Sequence, residues 1–402
     1  MSITSHDFTP FIPSGDVLRN SALPDLVMSL VGANGQLGRL SDVTKETISQ
    51  HMVVINSYYS NLIEGNHTLP HQIRAAQRGE YDEDPSKRDL QKESVAHIHV
   101  QNWIKEQSLD HDIIYSSDFI KAIHKEFYSQ LPEHMWEIKD DDGKVTGKVV
   151  PGEWRNQSVK VGRHIPPDDK YLNTLMNQFF QIYHPKHFVG HNKIISMMCA
   201  HHRFVWIHPF LDGNGRVVRL FTDTALSSLG LNGIGVWCLS RGLARTSKDY
   251  KASLERADFS RQGMNDGRGL LSQNNLLAFC EYMLKTAIDQ VEYISALLET
   301  EKMRGRITSY IQARNDNRVP GISGDIKKIA ALILYNAFMN GELKRPMAYS
   351  LCGMPDRTAS RLLKQLKDEG LLTESSPRAP FKWAIPEHAE PWYFPDLVPG
   401  TV

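Results

Sequence analysis

The chain has no apolar run approaching the roughly 18 to 20 residues a membrane span requires. The longest candidate is the mixed stretch IAALILYNAF, Ile329 to Phe338. Cysteine is scarce: Cys199, Cys238, Cys280 and Cys352 stand far apart in apolar contexts, with no CxxC pair and no histidine spacing suited to zinc. This excludes a disulfide framework and a zinc module, and it implies reduced core thiols in a cytoplasmic protein. Neither charge is in excess, since Lys plus Arg and Asp plus Glu both number 46. No global field therefore draws the chain toward nucleic acid or acidic lipid, and no membrane partner is expected. The opening stretch MSITSHDFTPFIPSGD lacks the basic and apolar regions of a secretory signal. No internal repeat or low-complexity tract is present. What remains is 402 residues, 41% of them hydrophobic, enough for two or three domains with real cores.

Proline and glycine mark the joints. FIPSGDVLRNSALP reads as an extended arm, followed by helical spacing through Leu26, Leu30, Leu37 and Leu40. SDVTKETISQHMVVINSYYSNLIEGN reads as a helix stopped by Gly65, and YDEDPSKRD as a charged surface loop. Helical patterns resume over Leu90 to Glu106 and Ser117 to Gln130. Between Val145 and Val161 short β-branched runs around Pro-Gly predict a hairpin. A helix follows the prolines of IPPDDKYLNTLMNQFFQIYH. HNKIISMMCAHHRFVWIH, apolar nearly all round, predicts a buried central helix, and RVVRLFTDTALSSLG another, ended by Gly230.

The densest chemistry is HPFLDGNGRVVR, His208 to Arg219, set between the last two helices. Free N–H groups at a helix start attract an anion, and Gly213 and Gly215 let the backbone approach it closely, so the loop reads as a phosphate cradle. A calcium loop fails at its sixth position, occupied by Val217, and a Walker A loop fails for want of Lys-Ser/Thr. Arg216 and Arg219, one helical turn apart, suggest more than one phosphate. A histidine such as His208 is the side chain suited to take a hydroxyl proton near neutral pH, whereas His201 and His202 fit a buried core.

The pattern His-x-Phe-x-Asp-Gly-Asn-Gly-Arg-x-x-Arg, carried here by His208, Phe210, Asp212, Gly213, Asn214, Gly215, Arg216 and Arg219, resembles the signature of the Fic (filamentation induced by cAMP) family. The resemblance extends from about Leu23 to Leu284. It implies transfer of AMP from ATP to a Ser, Thr or Tyr hydroxyl of a target protein, or of the chain itself. On that reading His208 is the base and Phe210 anchors the loop. Asp212 would hold Mg²⁺ against the α- and β-phosphates. Asn214 and the cradle N–H groups would hold the α-phosphate, Arg216 would neutralise pyrophosphate, and Arg219 would take the γ-phosphate. Glycine at 215, where the related phosphotransferring Doc-type branch has lysine, favours nucleotide transfer. VKVGRHIPP resembles the family's flap, with Val161, Gly162, Arg163 and His164 over the nucleotide, and KDYKASLERAD loosely resembles its base-pocket stretch. SNLIEG resembles its inhibitory motif, giving Ser60 and Glu64 that role; a carboxylate in the last turn of a helix meets the negative dipole end and seeks a cation such as Arg219.

The last eighty or so residues read as helix, helix-turn-helix and a two-stranded wing, resembling a winged-helix domain. Asp356 to Asp368 would be its recognition helix, with Arg357, Arg361, Lys364 and Lys367 along it and Arg378 and Lys382 in the wing. DNA binding and protein docking both fit this modest basic patch. The expected architecture is mostly α: a Fic-type helical bundle with a β-hairpin flap, then a winged helix. Its divisions are an N-terminal helical segment over 1–110, a catalytic domain over 111–290, a linker helix over 291–322 and the winged helix over 323–402. Removal of AMP from the same target, and a DNA-binding regulator that senses nucleotide, are the competing functions; a homodimer is compatible with either.

Overall fold

In a computed structural model, residues 12–140, 142–231, 233–264, 266 and 271–397 are described. The opening stretch read for a secretory signal lies outside them up to Phe11. The chain forms two compact units. One takes the chain up to Asn34, then Asn56–Ile234 and Cys238–Gln290; the other takes Gly35–Ile55, Gly235–Trp237 and Val291 onward.

The first unit is helical, as its apolar spacing predicts. Helices span Leu23–Gln36, Pro85–Glu106, Ser117–Ser129, Leu172–Tyr183, Asn192–Ile207 and Asn214–Ser228, and the helix Asp42–Ile63 ends here at Gly65, whose φ is 91°. Their starts are capped by side chains: Ser116 accepts from the Phe119 N–H at 3.1 Å and Asp84 from that of Ser86 at 2.9 Å. Asp84 and Pro85 thus turn the expected charged loop into a helix start, because proline at the first helical position has no N–H to waste. The expected extended arm instead holds a helical turn, Gly15–Arg19. Asn192–Ile207 is buried on nearly every side, and it packs against Asn214–Ser228 with Phe179, Phe204 and Phe221 between layers.

The hairpin lies upstream of its expected place. Strands β1 (Glu137–Lys139) and β2 (Val145–Lys148) pair antiparallel across a turn in which Asp140 accepts from the Lys144 N–H at 2.9 Å and Gly143 takes φ 79°. The flap stretch is no hairpin of strands. It is a loop with one isolated bridge, Val161 to His164, turning through Gly162 at φ 57°. Pro166 and Pro167 remove two N–H donors, so a longer ladder cannot form there.

In the second unit, helices Ala330–Asn340, Arg345–Cys352 and Asp356–Asp368 stand with strands β3 (Glu342–Leu343), β4 (Leu372–Thr373) and β5 (Phe381–Trp383) in the antiparallel order β3-β5-β4. Strands β4 and β5 pair where two strands were expected, and β3, between the first two helices, joins the other edge of β5. Leu362, Leu363 and Leu366 bury one face of Asp356–Asp368 while Arg357, Arg361 and Lys364 face outward. The four cysteines are free and buried. Among the described residues no helix is long and apolar enough to cross a membrane.

Candidate active site

The motif loop leaves the buried helix through His208, whose φ of 51° and ψ of 63° put a non-glycine residue in the left-handed region. That conformation costs roughly 1 to 3 kcal/mol and persists only where the surroundings over-determine it. Phe210, fully buried, supplies one restraint: its ring stacks on His124 with centroids 3.9 Å apart and also meets Trp154 at 4.8 Å. Asn214 supplies another, its Oδ1 accepting from the Phe210 N–H and its Nδ2 donating to the Phe210 carbonyl, both at 2.9 Å. The Asn214 amide thus gives one acceptor site and one donor to the loop itself and keeps its second N–H. Gly213, at φ 80°, caps the next helix in a conformation that favours glycine, and a Cβ there would press on the Tyr128 ring at 3.1 Å.

Burial pushes the His208 imidazole down to about 4, with His164 and Arg155 adding to the effect and the Val205 carbonyl opposing it. The ring is therefore neutral at pH 7, able to accept a proton. Among the described residues no hydrogen bond of good geometry reaches its Nδ1. His201 and His202 are core histidines, as expected. His201 lies between Thr222 Oγ1 at 2.7 Å and the Tyr250 hydroxyl at 2.8 Å, and His202 meets Asp258 at 2.9 Å.

Asp212 Oδ2 accepts from the Tyr128 hydroxyl at 2.5 Å and from Arg216 Nη2 at 3.2 Å. Burial raises its pKa, but Arg216, Tyr128 and the Gly213 N–H more than offset this, so the carboxyl stays ionised. About half of its side chain remains exposed, at 49%. Such a group suits a hard cation held mainly by phosphates and water, and no cluster of metal-ligating side chains occurs among the described residues.

The two arginines carry carboxylates already. Arg216, 7% exposed, pairs with Asp212 and with Glu93 at 3.3 Å, and its guanidinium lies 4.6 Å from the Phe127 ring centre. Arg219, 3% exposed, donates through Nη2 to Glu64 Oε1 at 2.7 Å and to the Ser60 carbonyl at 2.9 Å, and through Nε to Ser60 Oγ at 3.0 Å. Burial raises the Glu64 pKa, yet Arg219 and then Arg216 hold it below the usual value. A Cβ placed on Gly215 would lie 2.2 Å from Glu64 Oε1, so the carboxylate occupies the floor of the cradle itself. Nearby, Val161 and His164 exchange main-chain hydrogen bonds at 3.0 and 2.9 Å. The His164 ring meets the Trp206 carbonyl at 2.8 Å, and Arg163, almost wholly exposed, stands 3.6 Å from Glu255.

Sequence spacing thus finds Glu64, Ser60 and the loop, and the fold brings them together. It misses Tyr128, His124, Glu93 and Arg155, which reach the loop from distant positions and have no local motif.

Residues 114–226 match the Fic/DOC family. A protein adenylyltransferase Fic of Drosophila virilis is 29% identical over 211 residues, which are 51% of this chain and 38% of that one. The namesake in Drosophila erecta is 34% identical over 125 residues, 30% of this chain and 25% of its own. The chain therefore spans well under half the length of these relatives. Among solved structures, a Fic family protein from Desulfovibrio desulfuricans superposes with a TM-score of 0.53 at 17% identity, covering 93% of this chain and 98% of its own. A Fic domain containing signaling protein from Bacteroides thetaiotaomicron gives 0.51 at 18% identity over 67% and 95%. The mostly helical architecture with small antiparallel sheets is that fold, and residues 114–226 match the Fic/DOC family within a stretch distantly similar to protein adenylyltransferases.

Proposed function

We propose that the chain transfers AMP from ATP to a hydroxyl of a protein and that Glu64 restrains it at rest. The observation that carries the reading is a neutral, part-buried His208 fixed directly ahead of a glycine-rich helix start. His208 takes the hydroxyl proton as that oxygen bonds to the α-phosphorus, and the α–β anhydride bond breaks to release pyrophosphate. The N–H groups of Asn214, Gly215 and Arg216 face the charge that develops on the α-phosphate. Asp212 would hold Mg²⁺, which supplies charge neutralisation to the phosphates. Val161 to His164 would cover the nucleotide. Glu64 keeps Arg219 from the γ-phosphate, so bound ATP is misaligned until that pair opens. In the second unit, the helix pair with the β3-β5-β4 sheet supports a winged helix, through which DNA is a candidate partner.

Incubation with α-labelled and γ-labelled ATP in parallel tests the reading. Protein should acquire the α-label in a Glu64→Gly variant. Acquisition of γ-label alone would make the chain a kinase.

A further inference from the structure

Arg155 belongs to no motif, yet it stands where the loop and the flap meet. It is 5% exposed and forms no ion pair among the described residues; its donors all go to main-chain carbonyls. Its N–H donates to Pro209 O at 2.9 Å, Nε to His208 O at 2.8 Å, Nη1 to Gln157 O at 2.8 Å and Nη2 to Pro167 O. Gln157 and Pro167 are the two feet of the stretch that carries the Val161–His164 bridge. His208 is the left-handed residue at the helix exit.

We propose that Arg155 is a positioning residue, a single planar clamp that fixes the flap and the His208 backbone relative to each other. The inference rests on the reading of His208 as base and of residues 161–164 as nucleotide cover. One guanidinium spans acceptors lying in three directions, and its flatness fixes the angles between them. The left-handed His208 turns its carbonyl toward Nε, so the same contact that anchors the loop sets the direction in which the imidazole leaves the backbone. Lysine keeps the charge but has one nitrogen on a flexible stem, which cannot hold three carbonyls at fixed directions. Without the guanidinium these carbonyls would be left without a partner at a buried position, and the flap's feet would turn to water.

The test uses the full chain with Arg155→Lys and Arg155→Met, each alone and with Glu64→Gly. In unligated protein, amide exchange over 157–167 and 206–211 should speed up by about tenfold or more in both variants, while the helices Ser117–Ser129 and Asn214–Ser228 keep their protection. With Glu64→Gly, kcat for AMP transfer should fall by about a hundredfold and the KM for ATP should rise far less, as expected for misplaced reacting groups. Free guanidinium at millimolar concentration should restore part of the protection in an Arg155→Ala chain. Unchanged exchange over 157–167 in the lysine variant overturns the clamp, and loss of protection throughout the unit shows Arg155 to be only a core residue. Should Glu64→Gly with Arg155 intact transfer no AMP while the exchange pattern holds, the proposed activity falls and the clamp stands. Should the methionine variant fail to fold, exchange in the lysine variant alone decides for or against the clamp.

Discussion

At His208 the burial that lowers the imidazole to about 4 also decides the pH profile. If this ring is the base, the acid limb of kcat/KM reports its free-enzyme pKa and should fall well below 6.5. His208→Ala should abolish α-label transfer, a loss of at least about a hundredfold, while calorimetric ATP affinity is largely kept. Transfer that survives the substitution removes His208 from the mechanism. Glu64 and Arg219 form the other pair resolved at this scale. Glu64→Gly should raise AMP transfer by orders of magnitude, because aligning the reacting groups recovers several kcal/mol of barrier. Arg219→Ala should not activate, and the double variant should be as poor as Arg219→Ala alone. Equal rates for wild type and Glu64→Gly under saturating ATP and Mg²⁺ would reduce Glu64 to a helix-end charge.

The helix Ser117–Ser129 shows how an element outside the motif builds it. One face carries both His124, stacked on Phe210 and accepting from the Gly152 N–H at 2.9 Å, and Tyr128, bonded to Asp212. Tyr128→Phe keeps the ring packing and deletes one donor to an ionised carboxylate, a contact worth roughly 1.5 to 3 kcal/mol. The urea midpoint at pH 7 should drop accordingly, and an unchanged midpoint would mean that Tyr128 only fills space. The helix Asp356–Asp368 carries less free charge than its composition suggests. Lys364 pairs with Asp368, Lys367 with Glu374, and Lys382 of the neighbouring strand with Glu342. Among the described residues Arg357, Arg361 and Arg378 have no carboxylate partner. Duplex DNA, if bound, should therefore show a slope of log affinity against log salt no steeper than about −3. Arg361→Glu should weaken it further, and no retention even at low salt would leave protein docking as the role of this unit.

Over the whole chain, acid stability is governed by buried neutral histidines as much as by carboxylates. Burial comes first in holding His97 and His201 down to about 3, with Arg219 adding to it in both. The unfolded chain, with ordinary histidines near 6.5, binds more protons, so each ring contributes stability that is fully present above that value and is lost as pH falls toward 3. Thermal midpoints should decline from about pH 6.5 downward, and His201→Gln should flatten that decline. A midpoint unchanged between pH 7.5 and 5 would show the rings to be solvated. What the sequence determined by itself is what short-range order controls. The helices follow from apolar spacing and capping residues, and the contiguous loop and the Ser60 to Glu64 stretch stand out because their polar groups are adjacent in the chain. The helix Asp356–Asp368, too, has the limits expected from its sequence. Only the tertiary structure decided the rest. The hairpin sits at Glu137–Lys148, where an Asp-Gly turn was available as a signal, while β-branched residues and Pro-Gly further on suggested a strand that the prolines forbid. Asn214 turned inward to Phe210 because the loop's own backbone groups had to be satisfied before any ligand. Arg155, Tyr128 and Glu93 became part of the site because buried carbonyls and charges must find partners, and no local pattern records which distant side chain packing will bring to them.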